Sequence, residues 1–265
     1  MNRSNNVVLV TRPQKQAAEF IDLLKSKGFN ALAFPCLEVQ PVMLNTQLKE
    51  LINRLNELDL IIFISANAVE CAAKLMRQQD VAPASITTKI AAIGKATLSA
   101  AKALGFEVSL SPDNGFNSES LLALKELQAD YINGTQCLIF RGVGGLENLA
   151  NELQKRGAQV HYAEVYRRSK PQNDVNISRQ QLRDNWGGLK INAITVTSNE
   201  SLQNLYDMLE QPGRAAMLDT LLIVASQRGV KLAQSLGFKS IKLALSAINQ
   251  HMLEAVASEL TGELN

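Results

Sequence analysis

Short apolar runs alternate along the chain with segments in which apolar residues recur every three or four positions. The runs are rich in Val, Ile and Leu and are predicted to form β-strands at 7–10, 60–64, 90–93, 137–140, 194–196 and 221–224. The segments between them are predicted to form amphipathic helices, among them 14–27, 68–78, 97–104, 118–127 and 147–156. This alternation is typical of an α/β fold with a parallel sheet and helices on both faces.

The pattern occurs twice. A spacing of 132 residues separates Asn67 from Asn199 within the similar sequences Ser-Ala-Asn and Thr-Ser-Asn. A spacing of 129 residues separates Arg12 from Arg141, each of which follows an apolar run. Such a period is too long for a solenoid, whose repeats span roughly 20–50 residues, and indicates two similar α/β lobes. Two facing lobes form a cleft, and clefts bind ligands.

Two extended segments mark where the chain would cross between the lobes. Residues 34–41 contain Pro35 and Pro41, and the corresponding segment 162–171 ends at Pro171. We predict a discontinuous lobe 1 (1–35 plus 172–265), a continuous lobe 2 (42–163) and two linker strands (36–41 and 164–171). Two sequential domains divided near residue 130 are the alternative. A double crossing would act as a hinge on which the lobes close around a ligand.

Composition narrows the class of protein. Hydrophobic residues make up 46% of the 265 positions, and 27 Lys and Arg against 25 Asp and Glu give a net charge of only +2. That balance is no signature of a nucleic-acid binder. No apolar run approaches the ~18 residues of a membrane span, and no secretory signal is visible. The three cysteines and two histidines lack disulfide or metal-ligand spacing. We therefore expect a cytoplasmic protein without metal, nucleic acid or membrane partners.

Small, polar and basic residues follow the predicted strands, where open α/β sheets bind ligands. Most also lie at helix starts, whose free N–H groups and dipole attract anions. The candidate binding residues are Arg12, Ser65, Asn67, Gly94, Lys95, Thr97, Arg141, Gly142, Gly144, Thr197, Ser198 and Ser226. Simple helix capping is the alternative role of Ser65, Asn67 and Ser198. Because a cation at a strand end should not anchor a core, we expect Arg12 and Arg141 to be replaceable without loss of stability.

The glycine-rich turn at 141–145 does not fit the dinucleotide pattern GxGxxG, because Glu147 stands where the third glycine belongs. A nucleotide-dependent enzyme is therefore disfavoured. The glycines either permit tight turns or let backbone N–H groups approach a carboxylate. With two histidines in the chain, no Ser-His-Asp or Cys-His set is supported. Proton transfer would fall to Tyr, Lys, a carboxyl group or water.

The order of these motifs resembles the uroporphyrinogen-III synthase family. The similar stretches are 8–13, 63–69, 92–97, 118–122, 141–145, 164–166 and 197–198, and together they extend over nearly the whole chain. Leu146 departs from the pattern, because bacterial members often carry arginine in this turn. The resemblance implies two lobes joined by a two-stranded linker. It also implies cyclisation of linear hydroxymethylbilane, with inversion of the terminal pyrrole and loss of water, without a cofactor.

The resemblance further implies roles for single residues. Tyr166 is the best catalytic candidate, since its phenol could donate a proton to the departing hydroxyl; its alternative role is packing between the lobes. Thr97 matches a position near the substrate, with helix capping as the alternative. Arg12, Lys95 and Arg141 would supply cations for the substrate carboxylates. The implied partners are hydroxymethylbilane and, transiently, the preceding enzyme of the pathway. A hinged two-lobe receptor or sensor for a small anion is the alternative function.

Overall fold

The structure is a computed structural model that describes residues 6–115, 117–145, 147–174 and 177–262. Leu146, noted above as a departure from the family pattern, lies outside the described residues. The chain divides into two compact units. Unit 1 comprises Met1–Glu38 and Ser169–Asn265, and unit 2 comprises Val39–Arg168.

Strands and helices alternate along both units. The strands are β1 (Val7–Val10), β2 (Asn30–Ala33), β3 (Glu38–Pro41), β4 (Leu60–Phe63), β5 (Lys89–Ala92), β6 (Gln136–Gly142), β7 (Gln159–Ser169), β8 (Ile191–Val196), β9 (Leu221–Val224) and β10 (Ile241–Leu243). The helices are α1 (Gln14–Ser26), α2 (Thr46–Asn53), α3 (Ala66–Arg77), α4 (Lys95–Ala103), α5 (Ser118–Leu122), α6 (Ala129–Ile132), α7 (Asn148–Lys155), α8 (Arg179–Asp184), α9 (Asn199–Met208), α10 (Gly213–Asp219), α11 (Gln227–Leu236) and α12 (Asn249–Thr261). Short 3-10 turns occupy Leu55–Glu57, Pro83–Ser85 and Lys125–Leu127.

Unit 1 is built on a sheet of order β10-β9-β8-β1-β2 with parallel pairings throughout. Strands β1 and β9 are continuously apolar because both faces of the sheet are covered. Leu9 and Ile194 pack on one face against α9 and α11, whereas Val8 and Val10 pack on the other against α1 and α12. Two apolar layers on opposite faces therefore hold the sheet between pairs of helices.

Unit 2 repeats this design with the order β3-β7-β6-β4-β5, in which the pairings of β4, β5, β6 and β7 are parallel. Phe63 and Phe140 stack with ring centroids 5.0 Å apart on the face covered by α2 and α3. Ile62 and Ile139 pack on the other face against α7. The predicted fold class, two parallel sheets flanked by helices, is confirmed.

One predicted helix is wrong. The segment 118–127 is a short helix that ends at Leu122, followed by a 3-10 turn, because Leu124 between them has extended backbone with ψ of 142°. The carbonyl groups released by this break are paired by side chains. Gln128 Nε2 donates to the carbonyl oxygens of Leu122 and Leu124 at 2.8 and 2.9 Å, and Arg156 Nη1 donates to that of Leu122 at 2.7 Å.

A helix that spans a membrane must be both long and predominantly apolar. None of the helices that the structure describes combines the length and apolar character that a membrane span requires.

Candidate functional site

The carboxyl ends of the parallel strands lie along one edge of each sheet. In unit 1, we call edge 1 the turns that follow β1, β8 and β9; they carry Arg12, Thr197, Ser198 and Ser226. In unit 2, we call edge 2 the carboxyl ends of β4, β5 and β6 with the turns that follow them, together with the neighbouring part of β7. The candidate residues at edge 2 are Ser65, Asn67, Gly94, Lys95, Thr97, Arg141, Gly142, Gly144 and Tyr166. Within each unit, the structure therefore brings the predicted site residues to one edge.

Three candidate serines cap helices. The Oγ atoms of Ser65, Ser198 and Ser226 accept a backbone N–H from the residue three positions on, each at 3.1 Å. A cap pairs one of the N–H groups at a helix start and leaves others directed outward. Capping by these serines is therefore compatible with anion binding by the same turns.

The other small candidates have different environments. Asn67 lies in the first turn of α3 and is partly exposed. It is not the cap of this helix, because Ser65 holds that position. Gly94 is the N-cap of α4, and Lys95 beside it is exposed. Thr97 is buried in the first turn of α4, and the alternative that it caps this helix is wrong.

Arg12 is held inside unit 1, with 7% of its surface exposed. Its Nη2 donates to the carbonyl oxygen of Ala247 at 2.7 Å, and its Nη1 donates to Oδ1 of Asn249. The guanidinium also lies 4.9 Å from the ring centroid of Phe20. Burial lowers the pKa of Arg12, although guanidinium remains charged in proteins. Arg12 thus fixes the segment that leads from β10 into α12.

Arg141 plays the corresponding part in unit 2, where it is 4% exposed. Its Nη2 donates to the carbonyl oxygen of Gly145, and its Nε donates to that of Gly142 at 3.3 Å. The guanidinium lies 4.3 Å from the ring centroid of Tyr162. Arg141 therefore closes the glycine-rich turn that follows it.

The premise that Arg12 and Arg141 stand clear of the packed protein is wrong, and we therefore now expect their replacement to lower stability. Each cation is buried and hydrogen-bonded to a loop of its own unit, so truncation would remove hydrogen bonds made by a charged group. Such a loss typically costs about 1–3 kcal/mol. The sequence placed both residues correctly at strand ends but gave no sign that their side chains turn into the protein.

The glycine-rich turn holds a carboxylate of the chain itself. The Gly144 N–H donates to Glu164 Oε1 at 3.1 Å, and Arg141 Nε lies 3.6 Å from the same oxygen. Gly144 has φ of +69°, a conformation that glycine adopts without strain. The turn can thus direct an N–H towards an anion, as one of its two predicted uses requires. The contact of Glu164 with this turn was not predicted, although Glu164 lies in 164–166, one of the stretches that resemble the family.

A cavity of about 860 Å³ adjoins this turn within unit 2. Its lining includes Arg141, Tyr162, Glu164 and Arg167. The volume lies in the range of small-molecule sites, and the lining combines aromatic, cationic and acidic groups. Edge 2 therefore has both donors and space for part of a ligand.

Tyr166 is buried in the core of unit 2, with 1% of its surface exposed. Its hydroxyl lies 3.3 Å from Ser65 Oγ and 3.5 Å from Arg168 Nη2. Its ring fills the space beside Gly142, where an added Cβ would come within 2.7 Å of the ring atoms Cε2 and Cζ. The ring of Tyr166 therefore packs within the core of unit 2.

Comparison with known proteins decides the family. The family model described as uroporphyrinogen-III synthase HemD matches residues 18–254. The chain belongs to the uroporphyrinogen-III synthase family. Uroporphyrinogen-III synthase from Escherichia coli (strain K12) is 35% identical over 250 residues, which cover 94% of this chain and 99% of that protein. The enzyme from Salmonella typhimurium is 34% identical over 252 residues, with the same coverage.

Solved structures of uroporphyrinogen-III synthases show the same fold. The Helicobacter pylori structure aligns with a TM-score of 0.60 and 15% identity, covering 96% of this chain and 99% of that chain. A mutant from the extremely thermophilic bacterium Thermus thermophilus aligns with a TM-score of 0.58 and 16% identity, covering 97% and 100%. Family membership confirms the predicted class of enzyme, a lyase of tetrapyrrole biosynthesis, and favours it over a receptor or sensor.

Proposed function

We propose that this chain converts linear hydroxymethylbilane into uroporphyrinogen III, inverting the terminal pyrrole ring and releasing water. The observation that carries the proposal is the family match over residues 18–254, supported by 35% identity to a synthase over nearly its full length. The candidate residues at the carboxyl edges of both sheets agree with it, because open α/β sheets bind ligands there.

Backbone N–H groups are proposed as the main donors to the substrate carboxylates. Six helices longer than two turns begin at edges 1 and 2, namely α1, α3, α4, α7, α9 and α11. Their N-termini carry partial positive charge and unpaired N–H groups. Lys95 adds an exposed cation at edge 2. Arg12 and Arg141 would support binding by holding their turns, since both guanidiniums are committed to the protein.

Tyr166 is proposed as the proton donor for the departing hydroxyl. The C–O bond of the hydroxymethyl group breaks, its oxygen takes the proton, and water leaves. For inversion, the cationic carbon bonds to the α-carbon of the terminal pyrrole that already carries the methylene bridge, and the C–C bond to that bridge breaks. The bridge carbon then bonds to the free α-carbon of the same ring, and the proton lost from this carbon restores the donor. Because the phenol is buried and Ser65 is partly exposed, we propose that the proton passes through the Ser65 hydroxyl, 3.3 Å away.

This reaction balances without an oxidant or reductant, so the proposal includes no cofactor. The proposal also includes hydroxymethylbilane as the substrate, a transient contact with the enzyme that supplies this substrate, and a cytoplasmic location.

Turnover separates this proposal from the receptor alternative. Chelator-treated protein, mixed with an excess of fresh hydroxymethylbilane, is expected to consume many equivalents faster than the spontaneous reaction. A receptor would bind the ligand without accelerating its loss. Loss of substrate at only the spontaneous rate would contradict the proposal.

We also propose that the chain folds as the discontinuous lobe 1, lobe 2 and the two linker strands predicted above. Limited proteolysis with a nonspecific protease should cut near Pro35–Pro41 or near Tyr166–Pro171, because few contacts cross domain boundaries. Fragments that end in both segments would support these limits. A stable fragment ending near residue 130 would contradict them.

A further inference from the structure

The segment between β10 and α12 spans edge 1. In the order β10-β9-β8-β1, the ends of β10 and β1 are three strand spacings apart, which is about 14 Å at ~4.8 Å per spacing. The segment begins at Ala244, whose N–H donates to the Val224 carbonyl oxygen at the end of β9. It ends at the bonds from Arg12 to Ala247 and Asn249. Residues 244–249, which we call the edge loop, therefore pass across the carboxyl side of this sheet.

The edge loop is fixed by polar contacts besides those of Arg12. Ser246 Oγ lies 2.8 Å from His251 Nδ1 and accepts the Ile248 N–H at 3.2 Å. Ala244 is buried in the core formed with Met252. The loop is thus anchored at both ends and in its middle.

This fixed loop presents large apolar side chains to solvent. Leu245 is 82% exposed and Ile248 is 61% exposed. Single exposed apolar residues are common on protein surfaces. Here, two of them lie on one loop, at an edge where ligands bind, and a buried cation holds that loop. Burying a cation is costly, so stability alone is a poor reason for this arrangement.

We propose that Leu245 and Ile248 form an apolar wall that packs against the pyrrole rings of the substrate, and that Arg12 is the positioning residue that holds the wall. The inference rests on the proposed function. A linear tetrapyrrole carries acidic side chains on rings with π faces. N–H groups at the helix starts can bind the acids, whereas apolar side chains are needed to cover the rings.

Exchange of the wall residues tests the first half of the inference. In the full chain, the double variant Leu245→Ser/Ile248→Ser is expected to raise KM for hydroxymethylbilane about tenfold, which corresponds to about 1.4 kcal/mol. Its melting temperature should stay unchanged, because both side chains are exposed. Tyr131→Ser is the control: this exposed ring lies in α6, which precedes β6, and its loss should leave KM unchanged.

The outcomes are distinguishable. Wild-type protein that does not turn over the substrate would overturn the proposed function itself. Turnover with an unchanged KM in the double variant would overturn the wall alone. A double variant that keeps its KM but loses a wild-type oligomer in light scattering would also overturn it, because the surface would then bind a second copy of the chain.

Combining Arg12→Lys with the double variant Leu245→Ser/Ile248→Ser tests the positioning role of Arg12. Lysine keeps the charge but cannot make the forked contacts of a guanidinium. If Arg12 holds the wall, Arg12→Lys alone should raise KM. In a protein that already carries Arg12→Lys, Leu245→Ser/Ile248→Ser should then raise KM further by less than about threefold. If Arg12 has a purely structural role, Arg12→Lys should lower the melting temperature, and Leu245→Ser/Ile248→Ser should still raise KM about tenfold in that background. This result would overturn the positioning role.

Discussion

Tyr166→Phe is expected to lower kcat at least about tenfold, equivalent to about 1.4 kcal/mol of barrier. The phenylalanine ring would still fill the space beside Gly142, so the core of unit 2 should keep its packing. Only the hydroxyl and its contacts with Ser65 and Arg168 are removed. The type III product should persist, because the orientation of the substrate depends on contacts with its carboxylates rather than on the proton donor.

Steady-state kinetics with matched controls check this expectation. Tyr206→Phe removes a hydroxyl from α9 and should leave kcat unchanged. Ser65→Ala should lower kcat as Tyr166→Phe does if the serine relays the proton. Because it also removes a helix cap, Ser178→Ala, which removes the cap of α8, is its control for stability. Wild-type kcat in Tyr166→Phe would leave Tyr166 as a packing residue.

Gly142→Ala is expected to damage both stability and turnover. The added Cβ would stand 2.7 Å from two ring atoms of Tyr166 and 3.1 Å from its hydroxyl oxygen. The ring is enclosed by the core of unit 2 and has little room to retreat. Overpacking of this kind typically costs about 1–3 kcal/mol. Any retreat would also move the phenol relative to Ser65, so kcat should fall as well.

Urea denaturation and kinetics measure the two effects of this substitution. Gly187→Ala is the control, because among the described residues, its chain neighbours aside, no atom lies within 4 Å of the position that its Cβ would take. Its free energy of unfolding should change by less than about 0.5 kcal/mol. A Gly142→Ala protein as stable and active as the wild type would show that the ring position is not essential.

The alternation of strands and helices could be predicted because parallel strands covered on both faces are continuously apolar. Leu60–Phe63, for example, is buried at every position. The break within 118–127 could not be predicted in this way. The released carbonyl group of Leu122 is paired by Gln128 and also by Arg156, which lies 34 residues beyond it in the sequence. Local periodicity contains no information on such a partner.

The position of the candidate site followed from the same logic, because polar turns after parallel strands meet at one sheet edge. The roles of particular side chains did not follow. Arg12 turns inward because its partners are Ala247 and Asn249, at separations of 235 and 237 residues. Tyr166 is buried because Gly142, on the neighbouring strand, leaves room for its ring. Both outcomes depend on contacts that exist only in the folded chain.

The isomer composition of the product tests the proposed function most directly. Fresh hydroxymethylbilane is incubated with catalytic amounts of the protein, the products are oxidised, and the type I and type III porphyrins are separated by chromatography. Type III is expected to predominate, and its share should rise with protein concentration while the spontaneous type I product declines. Exclusive formation of type I at every protein concentration would contradict the proposed function.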